Sequence, residues 1–96
     1  MKHFLIEIEY TTPMEQIEPI VPEHRAYIQL GFDSGMLLYS GPMVPRTGGI
    51  VLARAETIEA VETFLSRDPY RLQGVATHRI VEFTQVKYQP FLSDWV

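Results

Sequence analysis

The chain contains no cysteine. That excludes a disulfide framework, a thiolate nucleophile and any metal site built on sulfur. A run of basic residues is also missing. Eight Lys and Arg stand against twelve Asp and Glu, for a net charge of −4, and Arg25, Arg46, Arg54, Arg67, Arg71 and Arg79 are scattered. A nucleic-acid footprint requires clustered cations, so no nucleic-acid partner is expected. Long hydrophobic runs are absent too, and no stretch approaches the roughly 20 residues that span a bilayer. Met1 to Tyr10 alternates with glutamates and lacks the unbroken apolar core of a signal peptide. The expectation is a cytoplasmic protein with no membrane partner. There is no repeat of solenoid length and no low-complexity segment.

What is present fits one domain over residues 1–96, closed by a short tail at 91–96. Hydrophobic residues make up 46% of the chain and charged ones 21%, an ordinary globular balance. A chain this small buries only about two-thirds of its unfolded surface, so its own core leaves a thin margin of stability. Association with a second copy would extend that core.

Phe4, Ile6 and Ile8 alternate with Leu5, Glu7 and Glu9, so His3 to Tyr10 reads as a half-buried strand. Pro13, Pro19 and Pro22 break regularity, which leaves Thr11 to Val21 irregular or as a single short turn. Pro22 suits the first turn of a helix, with Glu23 favourable at the same end. Ala26, Tyr27 and Leu30, with Ile28 as a candidate fourth member, supply its apolar stripe, and Asp33-Ser34-Gly35 ends it, Gly35 being free to take positive φ. Met36 to Tyr39 and Gly49 to Ala53 are short apolar runs of strand character, separated by a loop from Ser40 to Gly48. Thr57 to Ser66 places Ile58, Val61, Phe64 and Leu65 at helical spacing, with Thr57 as cap. Asp68-Pro69 closes that helix, and Tyr70 to Gly74 is a connector with room for one further turn. Val75 to Tyr88 reads as the final strand, ended by Pro90.

The order is β-α-β-β-α-β, the ferredoxin-like split arrangement of an α+β fold: a four-stranded antiparallel sheet with both helices on one face. The other face is left open, yet the strands are apolar on both sides, with Leu5 beside Phe4 and Ile6, and Val51 beside Ile50 and Leu52. A homodimer that covers it is the expectation.

Candidate chemistry rests on few residues. His3, His24 and His78 lack the spacing of a metal pair, and each taken alone is more often structural. His24 stands out, because a helix N-terminus disfavours the imidazolium and keeps the ring able to act as a base. Asp68 before Pro69 has the local character of a helix stop. Its carboxylate could also fix the tautomer of a histidine and so complete an acid–base pair. Ser40, in Tyr39-Ser40-Gly41-Pro42, offers a hydroxyl beside a glycine that permits close approach of a ligand. Arg46 is placed to hold an anionic substrate. Gly48-Gly49 lacks the Lys of a phosphate loop, and Ser40 has no nucleophile elbow around it.

The order and separation of these weak signals is informative. His24 opens a helix, followed by Gly35-x-Leu37-Leu38-Tyr39-Ser40-Gly41-Pro42, Gly49-Ile50-Val51-Leu52, Asp68-Pro69-Tyr70 and Gly74-Val75. This pattern resembles the YciI-like family of YCII-related domains from about His3 to Pro90. The resemblance implies a dimeric α+β barrel of ferredoxin-like subunits and a His–Asp pair in a pocket, at His24 and Asp68, with Ser40 nearby. It also implies kinship with a dehydrochlorinase of chlorinated aromatic degradation, and with a superfamily that holds muconolactone isomerase and cofactor-free monooxygenases. The short loop from Met43 to Gly48 and the proline-rich stretch before Pro22 depart from the pattern, so no substrate carries over.

Three readings follow. The first is a cofactor-independent enzyme of lyase or isomerase type acting on a small aromatic or lactone substrate. Here His24 shuttles a proton, Asp68 orients it, and Ser40 with Tyr70 or Arg46 positions substrate oxygens; no cofactor or metal is called for. The second is a non-catalytic dimeric module that binds a small ligand or a partner protein, with Trp95 of the apolar tail as a contact residue. The third, a cofactor-free monooxygenase, rests on superfamily analogy alone.

Overall fold

The computed structural model describes residues 1–96. Four strands, β1 (Lys2–Tyr10), β2 (Leu37–Pro42), β3 (Gly48–Ala55) and β4 (Ala76–Phe83), form one antiparallel sheet in the order β2-β3-β1-β4. Helix α1 (Met14–Ile17) and a 3-10 turn at Glu18–Ile20 lead into α2 (Val21–Asp33); α3 (Ile58–Ser66) and the single turn α4 (Pro69–Leu72) join β3 to β4. This is the expected α+β, ferredoxin-like arrangement.

The alternation in β1 sorts the sheet into two faces. Phe4, Ile6 and Ile8 are buried and join Val51 and Ala53 of β3 in one core with Ile17, Ile28, Val61 and Leu65. Leu5, Ile50, Leu52 and Val81 point the other way and are half-buried. Helix α3 starts at Thr57, whose hydroxyl accepts from the Ala60 amide at 3.2 Å. Helix α2 carries Pro22 in its first turn and gives way to Gly35 at φ 81°, a left-handed position that only glycine adopts without strain. Gly48 serves close approach instead: a Cβ there would sit 1.8 Å from the Ile8 carbonyl oxygen of the neighbouring strand.

Four boundaries differ from the sequence reading. The stretch from Thr11 to Val21 is not irregular: it holds α1 and the 3-10 turn, because Ile17 is drawn fully into the core. The second strand continues beyond Tyr39 through Ser40-Gly41-Pro42. It is an edge strand, where the missing N–H of Pro42 breaks no ladder. The loop shrinks accordingly to residues 43–47. The final strand stops at Phe83 rather than Tyr88, because Phe83 pairs with His3 and β1 begins only one residue earlier. Asp68 does more than end a helix, since it opens α4 as its N-cap.

Past β4 the tail turns back. Trp95 donates from Nε1 to the Gly35 carbonyl at 3.1 Å, and its ring lies 5.7 Å from that of His3. The Arg54 guanidinium sits 5.3 Å from the same indole and donates to the Gly35, Asp94 and Trp95 carbonyls. Trp95 thus packs within its own subunit, against His3 of β1 and Arg54 of β3, while Phe91 stays exposed.

Candidate active site

Asp68 is the centre of the site. It is fully buried at 0% exposure and accepts three hydrogen bonds: from His24 Nδ1 to Oδ1 at 2.7 Å, from the Tyr70 amide to Oδ1 at 3.0 Å, and from His78 Nε2 to Oδ2 at 3.1 Å. The position follows from local chemistry. Asp-Pro sets an extended residue ahead of a proline at the first helical position, and the Asp side chain caps the turn it opens. Burial by itself would raise the carboxyl. The hydrogen bonds from His24 and His78, the charge of His24 and the Tyr70 amide outweigh burial together and bring it down to about 2.

An ionised carboxylate only accepts, so both imidazole nitrogens that face it carry hydrogen. His24 is therefore held with the proton on Nδ1, which leaves Nε2 as the basic nitrogen. Tyr70 fixes the ring plane from the side, its phenol stacked on the imidazole at 3.8 Å between centroids and 6° between planes. Burial, and next the neighbouring Tyr10 hydroxyl, push the Tyr70 phenol up to about 12 against the opposing pull of Arg46. Tyr70 is thus a neutral hydrogen-bond donor at ordinary pH.

His24 also lines a half-open cavity of 370 Å³ between α2 and the sheet. Ser40, Arg46 and Tyr70 line the same cavity, and Asp68 stands behind His24 without reaching it. The structure thus brings together all five residues singled out in the sequence. Arg46, on the loop between β2 and β3, donates from Nε to the Tyr10 hydroxyl at 3.4 Å. Ser40 owes its place to a bulge. Leu37 pairs with Ala53, but Tyr39 pairs with Leu52 and Ser40 with Val51, so one extra residue sits between Leu37 and Tyr39. In an unbroken strand, residues three apart face opposite sides. The bulge lets both Leu37 and Ser40 face the helices.

His78, which reads in the sequence only as a lone structural histidine, belongs to the site. It lies opposite Ile8, at an inward position of β4 between Ala76 and Ile80, and its Nδ1 is buried with no partner. The available signal was strand parity: the alternation that buries Ala76 and Ile80 also turns His78 inward.

A fold of this topology, with a capped and buried aspartate behind a cavity-lining histidine, defines a small α+β domain with a pocket of mixed polar and apolar lining. The chain belongs to the YCII-related domain family, which matches residues 1–84. It is 35% identical over 75 residues to Protein YciI of Escherichia coli O6:H1 and, to the same extent, of Shigella flexneri, covering 68% of this chain and 76% of each relative. It is also similar in structure to the 5-chloro-2-hydroxyhydroquinone dehydrochlorinase from Burkholderia phenoliruptrix, solved in complex with 2,5-dihydroxybenzoquinone. The TM-score is 0.70 at 19% identity, over 93% of this chain and 97% of that one.

Proposed function

We propose that the cavity is the active site of a small lyase or isomerase that moves a proton on an oxygenated substrate. The observation that carries this reading is the 2.7 Å bond from His24 to a fully buried carboxylate, made by a ring that lines the cavity. His24 Nε2 takes a proton from carbon beside a carbonyl. Asp68 holds the ring in the required tautomer and stabilises the imidazolium that forms. The Tyr70 hydroxyl, Ser40 and Arg46 hold substrate oxygens as charge develops on them. With a halogenated substrate the electron pair of the broken C–H bond forms the new double bond, chloride departs with the C–Cl pair, and the proton stays on His24. The structural neighbour is a dehydrochlorinase solved with a dihydroxyquinone bound, which supports a reaction that releases hydrogen chloride from an oxygenated ring.

The test is a screen of phenolic, lactone and halogenated substrates, with His24→Ala and Asp68→Asn as controls. Turnover should fall by about 100- to 10,000-fold in His24→Ala, the range expected for loss of a general base. Unchanged turnover in both variants removes the pair from the mechanism. The reading includes a homodimer built on the outer sheet face, where Leu5, Ile50, Leu52 and Val81 have no helix over them. Sedimentation should show a dimer at micromolar concentration, and a stable monomer refutes that part.

A further inference from the structure

The charge lining the cavity is the reverse of the protein's own. Twelve carboxylates outnumber eight cations along the chain, yet no Asp or Glu lines this cavity, whereas Arg25, Arg46 and His24 all do. Neither arginine has a carboxylate within 4.0 Å; the ion pairs of the structure are His24 and His78 with Asp68, and Arg79 with Glu7. Arg25 projects from α2 and Arg46 from the loop between β2 and β3, so the two approach from different walls. Arg46 gives Nε to the Tyr10 hydroxyl and lies beside the Tyr70 hydroxyl, and of the five donors of a guanidinium some remain for a planar oxyanion. The same cavity also has Ile8, Ile28 and Val51 in its wall. Its 370 Å³ lies at the small end of ligand sites.

We infer that this cavity takes a small anionic substrate, with a carboxylate or enolate oxygen seated by Arg46 and Arg25 and a compact apolar skeleton against Ile8, Ile28 and Val51. The inference rests on the proton-transfer reading and names its substrate class. Two arginines beside the base make sense for such a substrate, because removing a proton from an anion builds further negative charge.

The test is binding without turnover. Benzoate is titrated against benzamide, and 4-nitrophenolate against 4-nitroanisole, by chemical-shift perturbation up to about 20 mM. The charged member of at least one pair should bind about tenfold more tightly than its neutral partner, with shifts at the His24 and Tyr70 amides. Arg46→Gln should remove most of that preference and leave the neutral compound unaffected, while rising salt should weaken only the anion. Equal binding within both pairs, no binding by any of the four, or a preference that survives both Arg46→Gln and Arg25→Gln overturns the inference. A failure of the base assignment shows in His24→Ala kinetics and leaves these titrations untouched.

Discussion

Asp68→Asn is the most informative single change. The carboxyl falls from 3.8 to about 2 on folding, and each unit is worth about 1.4 kcal/mol, so ionised Asp68 stabilises the fold by about 2 kcal/mol. A folded-state value below the unfolded one means that this stability is fully present above the unfolded value. It drains away as pH falls towards the folded one. The contribution is therefore about 2 kcal/mol near pH 5 and about 1 kcal/mol near pH 3. Asparagine keeps the shape, and its amide oxygen accepts from the Tyr70 amide and His24. Its NH2 group then meets His78 Nε2, which must give up its hydrogen, and the proton moves to the buried, partnerless Nδ1. The assay is urea unfolding of both proteins at equal concentration across that pH range. The wild type should lead by about 2 to 4 kcal/mol near pH 5, and the lead should shrink by about 1 kcal/mol near pH 3. A gap under about 0.5 kcal/mol, or one that does not change with pH, refutes the buried-anion reading.

Two further outcomes follow from the tail and from His3 beneath it. Trp95→Ala removes the indole bond to Gly35 and uncovers His3; it should cost about 2 kcal/mol in urea unfolding, below the range for a fully buried tryptophan because Trp95 is only half-buried. His3 itself is lowered from 6.5, first by burial and then by the N-terminal charge and Arg54, against a raising bond to Val96. The unfolded chain then takes up a proton before the folded one does, so stability should begin to fall as pH drops through about 6.5. His3→Phe should flatten that limb, and an unchanged profile would clear His3 of the effect.

The legible parts of this protein are those written locally. The Phe4, Ile6, Ile8 alternation names the buried face of β1, Thr57 caps α3, and Gly35 ends α2, each from a window of a few residues. The pairing of His24 with Asp68 is legible only through the family resemblance that the order of the motifs carries. Their contact across 44 positions is a tertiary fact. Strand limits were misjudged where a partner decides them: β4 ends where β1 begins, and Pro42 survives in β2 because that strand lies at an edge. The bulge after Leu37 depends on how β2 pairs with β3, which a single strand's spacing does not show, whereas the inward turn of His78 follows from the parity of Ala76 and Ile80.

The Asp68 carboxylate gathers donors from α2, from the turn it caps, and from β4, the last strand of the sheet. No fragment that lacks either end of that set can hold the carboxylate dry and ionised. During synthesis or refolding the polarised imidazole therefore appears only when the final strand locks in. A half-assembled chain carries an ordinary histidine, and recovery of the His24–Asp68 contact would time the last docking event rather than the first collapse.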